Sequence, residues 1–287
     1  MNYSTDHYTV SRTFWDGKKD QTEAVFINDD DTYNDDGIKL ALDRAWRDLT
    51  VRTLKRTSKE KDLSVLINED YVTYIKEWFN TDLSAFSKDN KKIRYIYNKW
   101  HLKICRFVLS FLNKHYEDRD DNDKKVKYGK AQKVVNMTMK GLYCMKGADK
   151  KEVHFIPCHV ALDSFTLEWF ARNVIEFEET RELKIYKSKI HSWSKLSDKR
   201  LGDYYGYYRL VTLIYSYFDS CSDSPYKDEN GNKLTPFQAE FYIWQEMKIH
   251  LGAEAFYFAI NETADKDKFR RKSVEEKKSE IRKELSV

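Results

Sequence analysis

The stretch TPFQAEFYIWQEMKIHLGAEAFYFAI, Thr235 to Ile260, decides the fold. It opens on Thr-Pro, a hydroxyl able to cap a helix followed by a residue whose fixed φ suits the first helical turn. Phe237, Phe241, Trp244, Leu251, Ala255 and Phe258 then line one face, while Tyr242, Ile243, Ile249, Phe256 and Ile260 cover much of the rest. A helix that is apolar nearly all round belongs inside a protein, so the pattern predicts a central, wholly buried helix with Phe241, Trp244, Leu251 and Phe258 in the main core. A core built on such a helix implies a mostly α protein.

Composition agrees. The chain has 9 Gly and 3 Pro in 287 residues, about 3% and 1% against a usual ~7% and ~5%, which excludes turn-rich sandwiches and collagen. Its 20 Tyr, 16 Phe and 7 Trp supply enough buriable area to exclude wholesale disorder, despite a mean hydropathy of −0.77. Lys and Arg number 51 against 47 Asp and Glu, a net charge of +4 that is small for a dedicated nucleic-acid binder. Met1 to Trp15 lacks the basic and apolar regions of a secretory signal, and no apolar run is long enough to span a bilayer. A cytoplasmic protein without a membrane partner is expected. Cys105, Cys144, Cys158 and Cys221 form no CxxC pair and lie on or beside apolar stripes, which suits buried, reduced thiols.

Along the chain, three parts are expected: an N-terminal hairpin and acidic loop over 1–33, a helical main domain over 34–264, and a charged C-terminal helix over 265–287 that can serve as an oligomerisation arm. The hairpin rests on two β-branched, aromatic runs, Tyr8–Trp15 and Thr22–Ile27, flanking Asp16-Gly17. The acidic run Asn28–Gly37 offers N-caps to a helix carrying Ile38, Leu42, Ala45, Trp46 and Leu49. It lacks the first Asp and terminal Glu of a calcium loop in the closest register, Thr32, Asn34, Asp36, Gly37 and Asp43.

Further stripes at helical spacing are Tyr71, Tyr74, Ile75, Trp78; then Ile93, Ile96, Trp100, Ile104, Phe107, Phe111; then Tyr128, Ala131, Val135, Thr138, Leu142, Met145. A charged break, Glu117–Lys125, separates the last two. Residues 147–157 read as a loop, Asp163 or Ser164 as the cap of a helix with Phe165, Trp169 and Phe170, and Tyr204 to Phe218 as another helix. Residues 182–193 read as a strand or a charged helix, and Asn230-Gly231 as a tight turn between short strands over 226–234.

Several constellations have the makings of chemistry. Glu246, His250 and Glu254 at i, i+4, i+8 share a helix face, a ladder suited to a metal or to proton transfer, but the Glu-x-x-His pair of di-iron bundles is missing because Ile249 follows Glu246 by three. Asp163, Glu182 and Lys184 have the order used by restriction-like nucleases to hold magnesium and orient water, yet Asp163 reads as a helix cap. Arg94 and His101 have the loose spacing of helical metal-free ribonucleases, on what reads as a helix surface. His154, Cys158 and His159 offer three metal ligands without a fourth. None of these sets is complete, so no metal, cofactor or catalytic residue is expected.

For nucleic acid, Lys127, Lys130, Lys133 and Lys140, with Lys124 and Lys125, make one basic segment interleaved with Tyr128 and Tyr143, and Lys266–Lys272 make another. For a protein partner, Tyr204, Tyr205, Tyr207 and Tyr208 supply more tyrosine than one helical stripe can bury, the composition of an interface anchor.

Three segments carry a resemblance: Lys127-Tyr-Gly-Lys-Ala-Gln-Lys-Val-Val-Asn-Met-Thr-Met-Lys-Gly-Leu-Tyr-Cys144, Cys158-His-Val-Ala-Leu-Asp-Ser-Phe-Thr-Leu-Glu-Trp169 and Ala239-Glu-Phe-Tyr-Ile-Trp-Gln-Glu246. With them the chain, over residues ~127–260, resembles a set of uncharacterised proteins of low-GC bacteria and their mobile elements. In size and helical makeup it is also similar to phage-encoded defence antagonists of the Gabija anti-defence kind, thought to wrap a host nuclease complex. The tyrosine cluster and the lack of a complete catalytic set, taken with this resemblance in kind, predict a non-enzymatic protein of phage or mobile-element origin that binds and inhibits a host defence protein. A nucleic-acid-binding protein or nucleic-acid-processing enzyme, a nuclease, is the alternative.

Overall fold

The computed structural model describes residues 2–3, 23–58, 63–86, 89–119, 122–177, 193–198, 206–221 and 224–260, with backbone alone at 2–3, 51–52, 63–65, 175–177, 248 and 250–260. Eight α-helices account for most of them: α1 (Asp35–Thr53), α2 (Leu63–Phe79), α3 (Asn90–His115), α4 (Tyr128–Tyr143), the single turn α5 (Glu152–Phe155), α6 (Ser164–Phe177), α7 (Tyr207–Ser220) and α8 (Pro236–Ile260). Four short strands accompany them: β1 (Asn2–Tyr3), β2 (Leu54–Arg56), β3 (Tyr116–Asp118) and β4 (Lys227–Asp228).

The helix starts follow from their caps. Asn34 accepts the Gly37 amide at 2.9 Å, and Asp35 and Asp36 place negative charge at the positive end of α1. The acidic run is thus a cap, as its sequence predicts. Asp163 Oδ1 accepts the amides of Phe165 and Thr166 at 3.0 and 3.1 Å, and Thr166 Oγ1 accepts the Asp163 amide in return. Thr235 and Gln238 form the same reciprocal box at the head of α8.

α4 is the axis of the molecule. α1 and α3 pack against it, α2 packs on α1 and α3, and α6, α7 and α8 pack on one another and reach α4 through side-chain bonds such as Lys140 to Glu240 and Asn136 to Tyr207. All but Lys133 and Met137 of its 16 residues are buried. This corrects the sequence expectation that α8 is the wholly buried helix. In the described part of α8, Phe237, Ala239, Phe241, Ile243 and Met247 are buried, but Tyr242, Trp244, Glu246 and Ile249 are only partly covered. Trp244 lies edge-on to Phe165 at the margin of the core, and the side chains of Leu251 and Phe258 lie outside the described residues.

A backbone crossing fixes one end of α4. A Cβ on Gly129 would stand 1.9 Å from the Trp193 carbonyl oxygen, and the Gly129 amide donates to the Leu196 carbonyl at 3.0 Å. Only glycine lets the 193–198 segment lie this close to the first turn of α4.

β2 and β3 pair antiparallel, with Leu54 opposite Asp118 and Arg56 opposite Tyr116, so the charged break after α3 begins as a strand. This antiparallel pair therefore joins the C-terminal ends of α1 and α3 and is not at the N-terminus. The expected N-terminal hairpin falls largely on residues outside those described; Asn2–Tyr3 pairs parallel with Lys227–Asp228, and Val25 bridges to Lys146. Gly231, at φ +81°, turns the chain between Lys227 and Lys233, which bridge antiparallel as the Asn-Gly signal predicts. Residues 147–157 contain a 3₁₀ turn, Ala148–Lys151, and α5. The segment 182–192 and the C-terminal 265–287 lie outside the described residues.

Candidate functional site

α4 presents polar side chains on nearly every side, and each reaches a partner on a different element. Gln132 is oriented by main chain: its Nε2 donates to the carbonyls of Gly129 and Leu162, both at 2.8 Å, leaving Oε1 to accept the Leu162 amide. Because Oε1 is an acceptor, the Asn136 group that meets it at 2.9 Å must be the amide nitrogen, which also reaches the Val160 carbonyl and the Tyr207 hydroxyl. Asn136 Oδ1 therefore faces His101 Nε2, at 2.9 Å, and that ring nitrogen must carry the proton.

The rest of the chain of bonds takes its direction from this point. With Nε2 protonated, neutral His101 accepts at Nδ1 from the Tyr208 hydroxyl, 3.0 Å away, and Tyr208 in turn accepts from Tyr128 at 2.9 Å. On the other side Tyr207 accepts from Asn136 and donates to His159 Nδ1 at 3.0 Å, and His159 Nε2 donates to Asn98 Oδ1 at 2.6 Å. One directed line thus runs Tyr128, Tyr208, His101, Asn136, Tyr207, His159, Asn98. Only Asn98 is partly exposed. The two imidazoles lie 4.4 Å apart, and the Tyr207 ring stacks on His101.

Burial decides the protonation of this group. It pushes His101 down to about 3 and His159 well below the usual imidazole range, the latter helped by the neighbouring His101 ring. Burial also raises the hydroxyls of Tyr128 and Tyr207, and the Cys105, Cys144 and Cys158 thiols, so these side chains stay neutral. All four cysteines are free and buried, as expected from their positions.

The expected nucleic-acid lysines are part of the same construction. Lys130 is fully buried and donates to Asp118 of β3 at 2.8 Å and to the Thr53 carbonyl at 3.0 Å. Lys140 donates to Glu240 of α8 at 2.9 Å and lies over the Phe241 ring, and the second Glu240 oxygen accepts the Ala161 amide. Lys133 meets Asp163 at 3.3 Å and covers the Trp193 ring; Lys127 pairs with Asp123 at 3.5 Å. Lys130 and Lys140 are thus closed to any outside ligand. The expected interface tyrosines require the same correction. Tyr207 and Tyr208 are buried among the histidines, where their hydroxyls reach His101 of α3 and Tyr128 and Asn136 of α4, while Tyr204 and Tyr205 lie outside the described residues.

The catalytic candidates are likewise dispersed. Arg94 makes a bidentate pair with Asp219 of α7, at 2.6 and 2.9 Å, and stacks on Tyr215, whereas His101 faces the core and not the helix surface. Asp163 is the α6 cap and accepts the Trp244 indole at 3.2 Å; Glu182 and Lys184 fall outside the described residues. His154 donates to the Thr81 carbonyl on the wall of an open cleft of about 550 Å³, while His159 is in the buried line, so the two do not converge with Cys158. Among the described residues no group of three metal-ligating side chains converges. Glu246 accepts from Tyr226, and the side chains of His250 and Glu254 are not among those described.

One surface feature was passed over in the sequence. α3 carries Lys91, Lys92, Arg94, Lys99, Lys103, Arg106 and Lys114 and no acidic residue in 26 positions, where the chain average would give about four. At 100° per residue, Lys92, Tyr95, Lys99, Lys103, Arg106, Ser110 and Lys114 fall within a stripe about 100° wide. All seven are exposed. Tyr95 is 46% exposed, and the ammonium groups of Lys99 and Lys92 stand 4.6 and 5.8 Å from its ring centroid. The signal available in the sequence was the absence of carboxylates across a whole helix.

No helix among the described residues is long and apolar enough to cross a membrane. Comparison of the chain with family models, curated proteins and solved structures gives no match.

Proposed function

We propose that this chain acts by binding, as a non-enzymatic interaction protein that engages and inhibits a host macromolecule. The observation that supports the reading is the fate of its chemistry-bearing side chains. His101, His159, Arg94, Asp163 and the three most deeply buried thiols are each engaged with, or packed among, other parts of the fold, instead of converging on an accessible cleft. A group that must transfer a proton or attack a substrate needs reach to it. The resemblance to mobile-element proteins and defence antagonists supports the same reading and suggests a host defence protein as the target.

The test is stoichiometric. Inhibition of a purified target should saturate at a fixed molar ratio and reverse on dilution, because a binder acts only while bound. Inhibition that proceeds to completion at one part in a hundred, leaving a covalently altered target or cleaved nucleic acid, would replace this reading with an enzymatic one.

A further inference from the structure

We infer that the outer face of α3 is a nucleic-acid contact surface, with a single strand as its ligand. The inference rests on the reading that the protein works by binding, and gives one of its surfaces a ligand chemistry.

Charge complementarity carries the first step. Two of the stripe's cations are offset by neighbours: Lys103 holds both oxygens of Glu77 at 2.9 Å, and Arg106 reaches Asp198 at 2.7 Å. Lys92, Lys99 and Lys114, with Lys91 beside them, form no ion pair among the described residues, and Lys92 and Lys99 touch only aromatic rings, so four lysines on one helix carry charge that no described carboxylate offsets. From Lys92 to Lys114 the stripe runs about 33 Å, the length of several nucleotides. Its ligand is a polyanion.

The second step separates nucleic acid from an acidic protein. Protein interfaces have an apolar centre and are depleted in lysine. This face has the reverse composition, with five cations and a single exposed aromatic ring. Alternating cations with an aromatic platform is the arrangement that holds single strands, the lysines tracking phosphates and the ring taking a base. A duplex would use the lysines but leave Tyr95 without a base to stack on.

Fluorescence anisotropy with a labelled 20-nucleotide single strand, the corresponding duplex and a poly-glutamate peptide of similar charge tests this, using the full chain. With four phosphate contacts, log affinity should fall against log salt with a slope of about −3. Lys92→Glu with Lys99→Glu should weaken single-strand binding roughly tenfold or more and flatten the slope by about two. The same charge change placed elsewhere, Lys146→Glu with Lys233→Glu, should do much less. Tyr95→Ala should cost roughly tenfold on the single strand and little on the duplex. If the lysine reversals perturb folding, Lys92→Gln with Lys99→Gln should show the same trend at about half the effect on slope. Equal losses from the two double reversals would overturn the surface. Poly-glutamate binding as tight as the oligonucleotide, unaffected by Tyr95→Ala, would hand the face to an acidic protein. Either result leaves the binding reading intact, whereas strand cleavage during the assay would overturn that reading and not the face.

Discussion

Asn136 is the residue on which the buried polar line turns. Its oxygen accepts from His101 and its nitrogen, with two hydrogens, lies within bonding distance of three acceptors, on Gln132, Val160 and Tyr207, so four elements meet at one carboxamide. Asn136→Ala would leave at least two buried groups without a partner, at about 1–3 kcal/mol each. A loss of about 3 kcal/mol or more in urea-unfolding free energy is expected. A loss below 1 kcal/mol would mean that the line is not held by this side chain. His101 gives a pH dependence with a definite sign. Its folded pKa lies near 3, below the ~6.5 of an unfolded histidine, so the unfolded chain takes up protons first. Stability is whole above that unfolded value and falls as pH drops through it. By pH 5 the loss from His101 is about 2 kcal/mol, and His159 adds to it in the same direction. His101→Gln keeps a donor for Asn136 and removes the titration, so it should lose about 2 kcal/mol less than wild type between pH 7.5 and 5. Identical pH slopes in the two proteins would sink the assignment. These side chains are also why substitution at Arg94, His101 or Asp163 would say little about activity: each change acts on the fold.

At the scale of elements, most helices were legible and the role of α4 was not. Ile38 to Leu49, Tyr71 to Trp78 and Tyr208 to Phe218 repeat at helical spacing, and those stripes are largely buried. In α3 the buried face is turned slightly from the expected one: Tyr97, His101, Cys105, Val108 and Leu112 face inward, and Ile96, Phe107 and Phe111 flank them. In α4 the apolar stripe was visible, but Lys130, Gln132, Asn136 and Lys140 read as the solvent side, since periodicity treats a polar residue as exposed. Their burial depends on partners that local pattern does not reveal. Asp118 is near in sequence but lies in a run that reads as solvated, and Glu240 is 100 residues away on a helix that reads as wholly apolar. The Lys140–Glu240 pair makes the consequence measurable. Lys140→Met alone should cost about 3–5 kcal/mol by leaving a buried carboxylate unpaired. Adding Glu240→Gln, which removes the charge yet keeps an oxygen for the Ala161 amide, should restore more than half. If the double variant is as unstable as the single, α4 depends on the packing of the lysine stem and not on the ion pair.

Considered as a whole molecule, the chain looks electrostatically bland at +4 because opposite charges are sorted by place and not by number. The lysines of α4 are spent inside, on Asp118, Asp163 and Glu240, while those of α3 stand outside without acidic residues on their own helix. The same sorting joins the two sides of the fold. α4 is tied to β3 through Lys130, to α8 through Lys140, to α7 through Asn136 and to the segment before α6 through Gln132. Pulling α6, α7 and α8 away would therefore strip partners from buried groups on α4, so neither half can open at low cost. Residues 34–260 should unfold as one cooperative unit. Trp46, Trp78, Trp100 and Trp169 are buried on α1, α2, α3 and α6, so tryptophan fluorescence samples both sides while far-UV circular dichroism follows all helices. Their urea transitions should coincide in midpoint and slope. Replacing Trp169 by Phe should remove the α6 signal without separating the curves. Two resolved transitions, the first lost together with Trp169, would show that α6 to α8 form a unit of their own, and that the bonds from α4 join two domains without merging them.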